Sequence, residues 1–179
     1  MAFARPKKRF YAEDELYEYA VGALARRMRT VAELKRLFRA RVEDAESEYG
    51  ETLIELVIRR LKDRGYLNDS QYAAYFSSLR RDNQKFGRRR VATDLKVKGV
   101  HGDVIEKAVD AAFQGVSEER QAREYLRRKR VGKPKDQKMT ARVFRQLARA
   151  GFGTKTIFSI LKSWDVDEET LSSLESEIA

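Results

Sequence analysis

The sequence predicts an all-α protein, and three observations carry that reading. Breakers are scarce: 179 residues contain two prolines, Pro6 and Pro134, and ten glycines. Ala, Leu, Arg, Lys and Glu are abundant and β-branched runs few, which favours helix along the whole chain. No Asn-Gly or Asp-Gly pair sits between alternating apolar segments, so hairpin signals are missing.

The helices repeat. Residues 91–99 read Val-Ala-Thr-Asp-Leu-Lys-Val-Lys-Gly, and residues 143–151 read Val-Phe-Arg-Gln-Leu-Ala-Arg-Ala-Gly. Both are Val-x3-Leu-x3-Gly, a helix with an apolar stripe and a glycine stop. Ile105, Ala108 and Val109 follow Gly99 at the offsets at which Ile157, Ile160 and Leu161 follow Gly151. A helix precedes each pair: Asp69 to about Asp82, with Tyr72, Tyr75, Phe76 and Leu79 on one face, and Ser117 to about Arg130, with Ala122, Tyr125 and Leu126. Asp69 and Ser117 are the expected N-caps.

A looser copy opens the chain. Its first helix spans about Glu13 to Arg27 through Leu16, Tyr19, Ala20, Ala23 and Leu24. Its second starts at a Thr30-Val-Ala-Glu33 capping box and carries Val31, Leu34, Leu37 and Phe38. After an acidic loop (Glu43, Asp44, Glu46, Glu48), a third helix carries Leu53, Ile54, Val57, Ile58 and Leu61 and stops at Gly65; Arg41 stands where the other copies have glycine. A short last helix, about Asp167 to Glu177, is weakly amphipathic through Leu171, Leu174 and Ile178. The expected organisation is a basic tail (1–12), three tandem three-helix repeats (13–66, 67–115, 116–164) and an acidic C-terminal tail with its helix (165–179). Three docked units of this size stabilise one another and give an elongated body of roughly 60–80 Å. The tyrosines follow helical periodicity and are expected in the core, as is Trp164.

Charge is segregated along the chain. The net charge is +10; residues 1–79 carry 15 basic and 13 acidic groups, residues 80–162 carry 23 and 9, and residues 163–179 carry none and 6. Such a field draws polyanions and acidic protein surfaces and weakens with salt. The bland alternative is a set of solvated helix surfaces. With no cysteine there is no disulfide or thiolate metal site. No apolar run nears the roughly 18 residues that span a bilayer, and the basic N-terminus lacks the apolar stretch of a signal peptide. A protein of the cytoplasm is expected.

Candidate contact residues are electrostatic. Arg88, Arg89 and Arg90 open a helix, where cations oppose the dipole unless an anion meets them; guanidiniums engage carboxylate or phosphate at two points. Lys96 and Lys98 extend that patch. Arg127, Arg128 and Arg130 run off a helix end, where cations are favourable in themselves, into a loop with Lys133 and Lys135. Arg142, Arg145 and Arg149 share one helix face, with Lys155 beyond, and no acid lies between residues 139 and 163. His101, the single histidine, fits a helix–helix turn better than catalysis, having no nucleophile or carboxylate pattern around it. Phosphate-loop, dinucleotide and metal-ligand spacings are missing, so no enzyme, cofactor or metal is expected.

Ordered strings resemble one family over about residues 12–163. Ala23-Leu24 followed by Arg27, Thr30, Glu33 and Leu34, though without the usual serine, looks like the opening repeat of RecX proteins. Gly65-Tyr66-Leu67-Asn68-Asp69-x-x-Tyr72-Ala73 and Phe86-Gly87-Arg88-Arg89-Arg90-Val91-x3-Leu95-x3-Gly99-Val100 resemble two further RecX segments, and Ala150-Gly151-Phe152 fits the third repeat. The acidic tail lies outside the pattern. The resemblance implies a curved monomer of three-helix repeats. It also implies a partner, the RecA recombinase filament on single-stranded DNA, whose groove such proteins occupy, restraining strand exchange, ATP hydrolysis and coprotease action. No catalytic residue carries over. A direct DNA binder, either helix-turn-helix or architectural, stays open, because Arg88 to Arg90 also suit base edges.

Overall fold

A computed structural model describes residues 9–176; the expectations for the first eight residues and for Glu177 and Ile178 lie outside them. The described residues form ten α-helices and no strand: α1 Glu13–Arg26, α2 Val31–Arg39, α3 Glu48–Asp63, α4 Asp69–Gln84, α5 Arg88–Val97, α6 Gly102–Phe113, α7 Glu118–Arg128, α8 Gln137–Arg149, α9 Thr154–Ser163 and α10 Glu168–Ser176. An isolated bridge joins Phe10 to Val42. The chain packs as two compact units, one of Met1–Ala73 with Lys96–Val104, the other of Ala74–Leu95 with Ile105–Ala179.

In the first unit the core gathers Phe10, Leu16, Ala20, Leu34, Phe38, Leu53, Ile54, Val57, Ile58, Leu61 and Leu67 from α1, α2, α3 and their flanks. Leu34 and Phe38, one turn apart, are fully buried, each such side chain contributing about 1.5–3 kcal/mol of transfer free energy. Acidic Glu13, Asp14 and Glu15 suit the positive end of α1. Arg60 of α3 ties that end down, donating to Glu13 at 3.1 Å and Asp14 at 2.7 Å while its guanidinium lies 4.1 Å from the centre of the Tyr17 ring.

The capping box at α2 is present in both directions. The Glu33 N–H donates to Thr30 Oγ1 (3.1 Å), and the Thr30 N–H to Glu33 Oε2 (3.3 Å). The Thr30 hydroxyl then donates to the Lys98 carbonyl at 2.7 Å. The expected cap at Asp69 is corrected. Asn68 Oδ1 accepts the Ser70 and Gln71 N–H groups at the start of α4, whereas the Asp69 carboxylate accepts the Val31 N–H of α2 at 2.9 Å. Asp69 therefore satisfies an orphan donor on another helix, a role its own neighbours do not reveal.

The second unit centres on α7, α8, α9 and α10, with Ala122, Tyr125, Leu126, Val143, Phe144, Leu147, Phe152, Ile157, Ile160, Leu161, Leu171 and Leu174 in its core and Trp164 packed against it. The paired Val-x3-Leu-x3-Gly strings behave alike: Val91, Leu95, Val143 and Leu147 are buried, and Gly99 and Gly151 take φ of 78° and 92°. Ser117 caps α7 as expected, and Asp136 and Asp167 cap α8 and α10. The tyrosines divide, which corrects the expectation of core positions throughout. Tyr17, Tyr72 and Tyr125 are buried, but Tyr11, Tyr49, Tyr66 and Tyr75 are exposed. On α4 the buried stripe runs through Tyr72, Ala73, Phe76 and Ser77, which turns Tyr75 outward, its hydroxyl free to stay in water.

Candidate cationic interface

The start of α5 resolves the electrostatic oddity of three arginines at a helix N-terminus. The Gly87 N–H donates to the Ala150 carbonyl at 2.8 Å, so the positive end of α5 abuts the negative end of α8. Arg90 Nη1 reaches the Arg149 carbonyl at 3.4 Å, Arg90 Nε holds Asp94 at 2.9 Å, and its guanidinium lies 5.5 Å from the centre of the Phe86 ring. Arg88 forms an ion pair with Asp110 of α6. Arg89 alone of the three has no ion-pair partner among the described residues, and it is exposed.

Asp94 also faces Arg80 Nε at 3.7 Å, and Arg80 stacks on Phe76 and Phe86 at 4.8 and 5.8 Å. The arginine–carboxylate–aromatic cluster organised by Asp94 was not read from the sequence. The four-residue spacing of Arg90 and Asp94 was its visible signal; Asp110 offered none.

The other candidates differ in how far the protein itself uses them. Lys98 pairs with Glu33 at 2.9 Å and lies 6.0 Å from the centre of the Tyr72 ring, within the first unit. Burial works to raise the Glu33 carboxyl, but Lys98 and the Thr30 N–H outweigh it and hold its pKa below the usual value; the Glu33 hydrogen bond raises that of Lys98. Lys96, on the same helix as Arg89, is exposed with no such partner among the described residues.

In the second unit, Arg127, Arg128, Arg130 and Lys135 are exposed and have no hydrogen-bonded side-chain partner among the described residues. Lys133 pairs with Asp165 at 3.1 Å. Along α8, Arg142, Arg145 and Arg149 are exposed, opposite the buried Val143, Phe144 and Leu147; Arg149 Nε returns to the Arg145 carbonyl at 3.2 Å. Lys138 precedes Arg142 by one turn and joins this stripe, a member that the same four-residue spacing could have supplied. Lys155 is exposed near the start of α9. Where carboxylates are near, they are engaged: Lys85 holds Glu124 at 2.8 Å and keeps its pKa below the usual range.

His101 lies 3.9 Å from Asp103, both exposed. Among the described residues no three His, Cys, Asp or Glu side chains are grouped to hold a metal ion, and no helix is long and apolar enough to cross a membrane.

Fold and surface together define a class: an all-α protein of helical bundles with exposed cations, among them a run along α7, α8 and the loop between them. Residues 68–109 match the family model described as the second three-helix domain of RecX. The regulatory protein RecX of Deinococcus radiodurans is 33% identical over 162 residues, covering 88% of this chain and 72% of that protein. That of Myxococcus xanthus is 35% identical over 160 residues and 83% of each chain. The chain belongs to the RecX family. Two crystal structures, one of regulatory protein RecX and one of RecX from Lactobacillus salivarius, share its fold with a TM-score of 0.62 each. They are 20% and 19% identical to it, over 84% and 86% of this chain and 71% and 96% of theirs.

Proposed function

We propose that this chain is a regulator that lies in the groove of a RecA recombinase filament on single-stranded DNA and restrains strand exchange, ATP hydrolysis and coprotease action. It acts as a monomer of three linked helical repeats in the cytoplasm, by binding and not by catalysis. Its contact set is Arg88, Arg89, Arg90, Lys96, Lys98, Arg127, Arg128, Arg130, Lys133, Lys135, Arg142, Arg145, Arg149 and Lys155. Family membership supports the partner. The observation that carries the contact set is the run of exposed cations from Arg127 to Arg149, most of which form no ion pair with a carboxylate among the described residues. Cations left unneutralised on a folded surface favour a polyanionic or acidic partner.

The test compares binding to bare and to RecA-coated single-stranded DNA across a salt series, with ATP hydrolysis followed in parallel. A regulator of the filament binds the coated DNA far better and slows hydrolysis. A simple phosphate binder loses affinity steeply with salt and gains nothing from the recombinase; that result would overturn the proposal in favour of direct DNA binding.

A further inference from the structure

The turns that end α3, α7, α8 and α9 are built alike. In each, the second residue past the helix donates its N–H back into the last turn, and the next residue donates one position deeper: Gly65 and Tyr66, Arg130 and Val131, Gly151 and Phe152, Asp165 and Val166. The first of each pair is left-handed, with φ of 74°, 54°, 92° and 53°. Glycine fits there without steric cost, Asn and Asp are tolerated, and most other residues are strained. After α9 the position is held by Asp165, and its side chain reaches Lys133 Nζ at 3.1 Å.

That ion pair spans a groove of about 560 Å³ between the loop preceding α8 and the turn preceding α10. Two further carboxylates line it, and both are committed to helix ends. Asp136 accepts the Met139 N–H at 2.7 Å, and Asp167 accepts the Thr170 N–H at 2.7 Å and its hydroxyl at 3.0 Å. Helix N-termini offset much of their charge. Lys135, on the same groove, has no hydrogen-bonded partner among the described residues.

We propose that this groove is a phosphodiester site whose resident occupant is the chain's own Asp165, standing where a nucleic-acid phosphate docks on Lys133 and Lys135. The inference rests on the cationic-surface reading, but it does not need the recombinase. The Lys133 and Asp165 side chains are 55% and 88% exposed; a pair so open to water is held weakly and exchanges readily for a better anion. Lysine meets phosphate as a compact point charge. From the groove the cations continue along α8 at Lys138, Arg142, Arg145 and Arg149, with no carboxylate between residues 139 and 163. A track of regularly spaced positive charge matches a polymer of regularly spaced negative charge.

The experiment is fluorescence anisotropy of a labelled oligo-dT with the full chain and no recombinase, at about 50 mM salt, where phosphate contacts are strong. Asp165→Asn keeps a residue tolerant of the left-handed turn and removes the competing charge. It should tighten binding about three- to fivefold. Glu46→Gln, an exposed neutralisation in the first unit, controls for net charge, and circular dichroism checks that each variant folds. In a Lys133→Gln background the Asp165→Asn gain should vanish. A gain no larger than that of Glu46→Gln, or one that survives Lys133→Gln, overturns the assignment. Equally tight binding of poly-glutamate overturns the phosphodiester class. Neither failure touches the filament reading, which is tested on RecA-coated DNA.

Discussion

A Cβ placed on Gly87 would stand 2.4 Å from the carbonyl oxygen of Gly151 and 2.9 Å from the Phe152 nitrogen. Backbone meets backbone here, at the point where the start of α5 abuts the end of α8, so no side chain can swing aside. Gly87→Ala should therefore destabilise the second unit by about 1–3 kcal/mol, the range for forced overpacking. Urea unfolding measures it. A change below about 0.5 kcal/mol, as at ordinary surface sites, would mean that the two helix ends part without cost.

The Glu33–Lys98 pair makes the first unit sensitive to acid. The Glu33 carboxyl titrates below its usual value near 4.5, so its contribution is complete above the pKa it has in the unfolded chain. That contribution is lost as pH falls through the lower folded value. Lys98, raised above 10.5, loses its share only as pH climbs past that folded value. Glu33→Gln keeps a residue able to complete the capping box but removes the titration. The unfolding midpoint of the unaltered protein should fall more steeply than that of Glu33→Gln between about pH 5 and pH 3. Parallel curves would remove Glu33 as the acid-sensitive group.

Local pattern made the helices legible, and distance hid most of what they do to one another. The Val91–Leu95 and Val143–Leu147 stripes and the Thr30–Glu33 box are properties of a few consecutive residues, and each forms as its spacing predicts. Asp69 misled because its carboxylate serves Val31, 38 positions away. The arginines at α5 read as an unmet demand for an external anion. Asp110, Asp94 and the Arg149 carbonyl answer most of that demand from within the fold. Sequence identifies cations, but which of them the fold neutralises is a tertiary fact, and that fact narrows the interface.

Arg130 separates stability from binding. It occupies a left-handed position, φ 54°, at the end of α7, where α3 and α8 use glycine, and its exposed side chain makes no hydrogen bond among the described residues. Arg130→Gly should raise stability by about 1 kcal/mol through relief of the backbone, while weakening capture of RecA-coated DNA by removing one cation. Thermal unfolding and a filament-binding titration together decide this. Greater stability with unchanged binding would strike Arg130 from the contact set.

Arg89 is the sharpest probe of the interface, because its two neighbours are compromised as tests. Arg90→Ala would strip Asp94 of its 2.9 Å partner and leave that carboxylate, only 16% exposed, facing Arg80 at 3.7 Å. A cost of about 1–3 kcal/mol is expected for orphaning a largely buried charged group, and any loss of activity would be confounded with it. Arg88→Ala likewise breaks the pair with Asp110. Arg89 has neither duty, so Arg89→Glu should leave the unfolding free energy from urea titration within about 0.5 kcal/mol of the parent. If the start of α5 meets an acidic recombinase surface or a DNA phosphate, the same reversal of charge should weaken inhibition of RecA ATP hydrolysis about tenfold or more, since each charge-assisted contact is worth about 1.5–3 kcal/mol. Full inhibition by a stably folded Arg89→Glu protein would assign the arginines of α5 to the architecture of the second unit alone and leave the work of contact to α7, α8 and the loop between them.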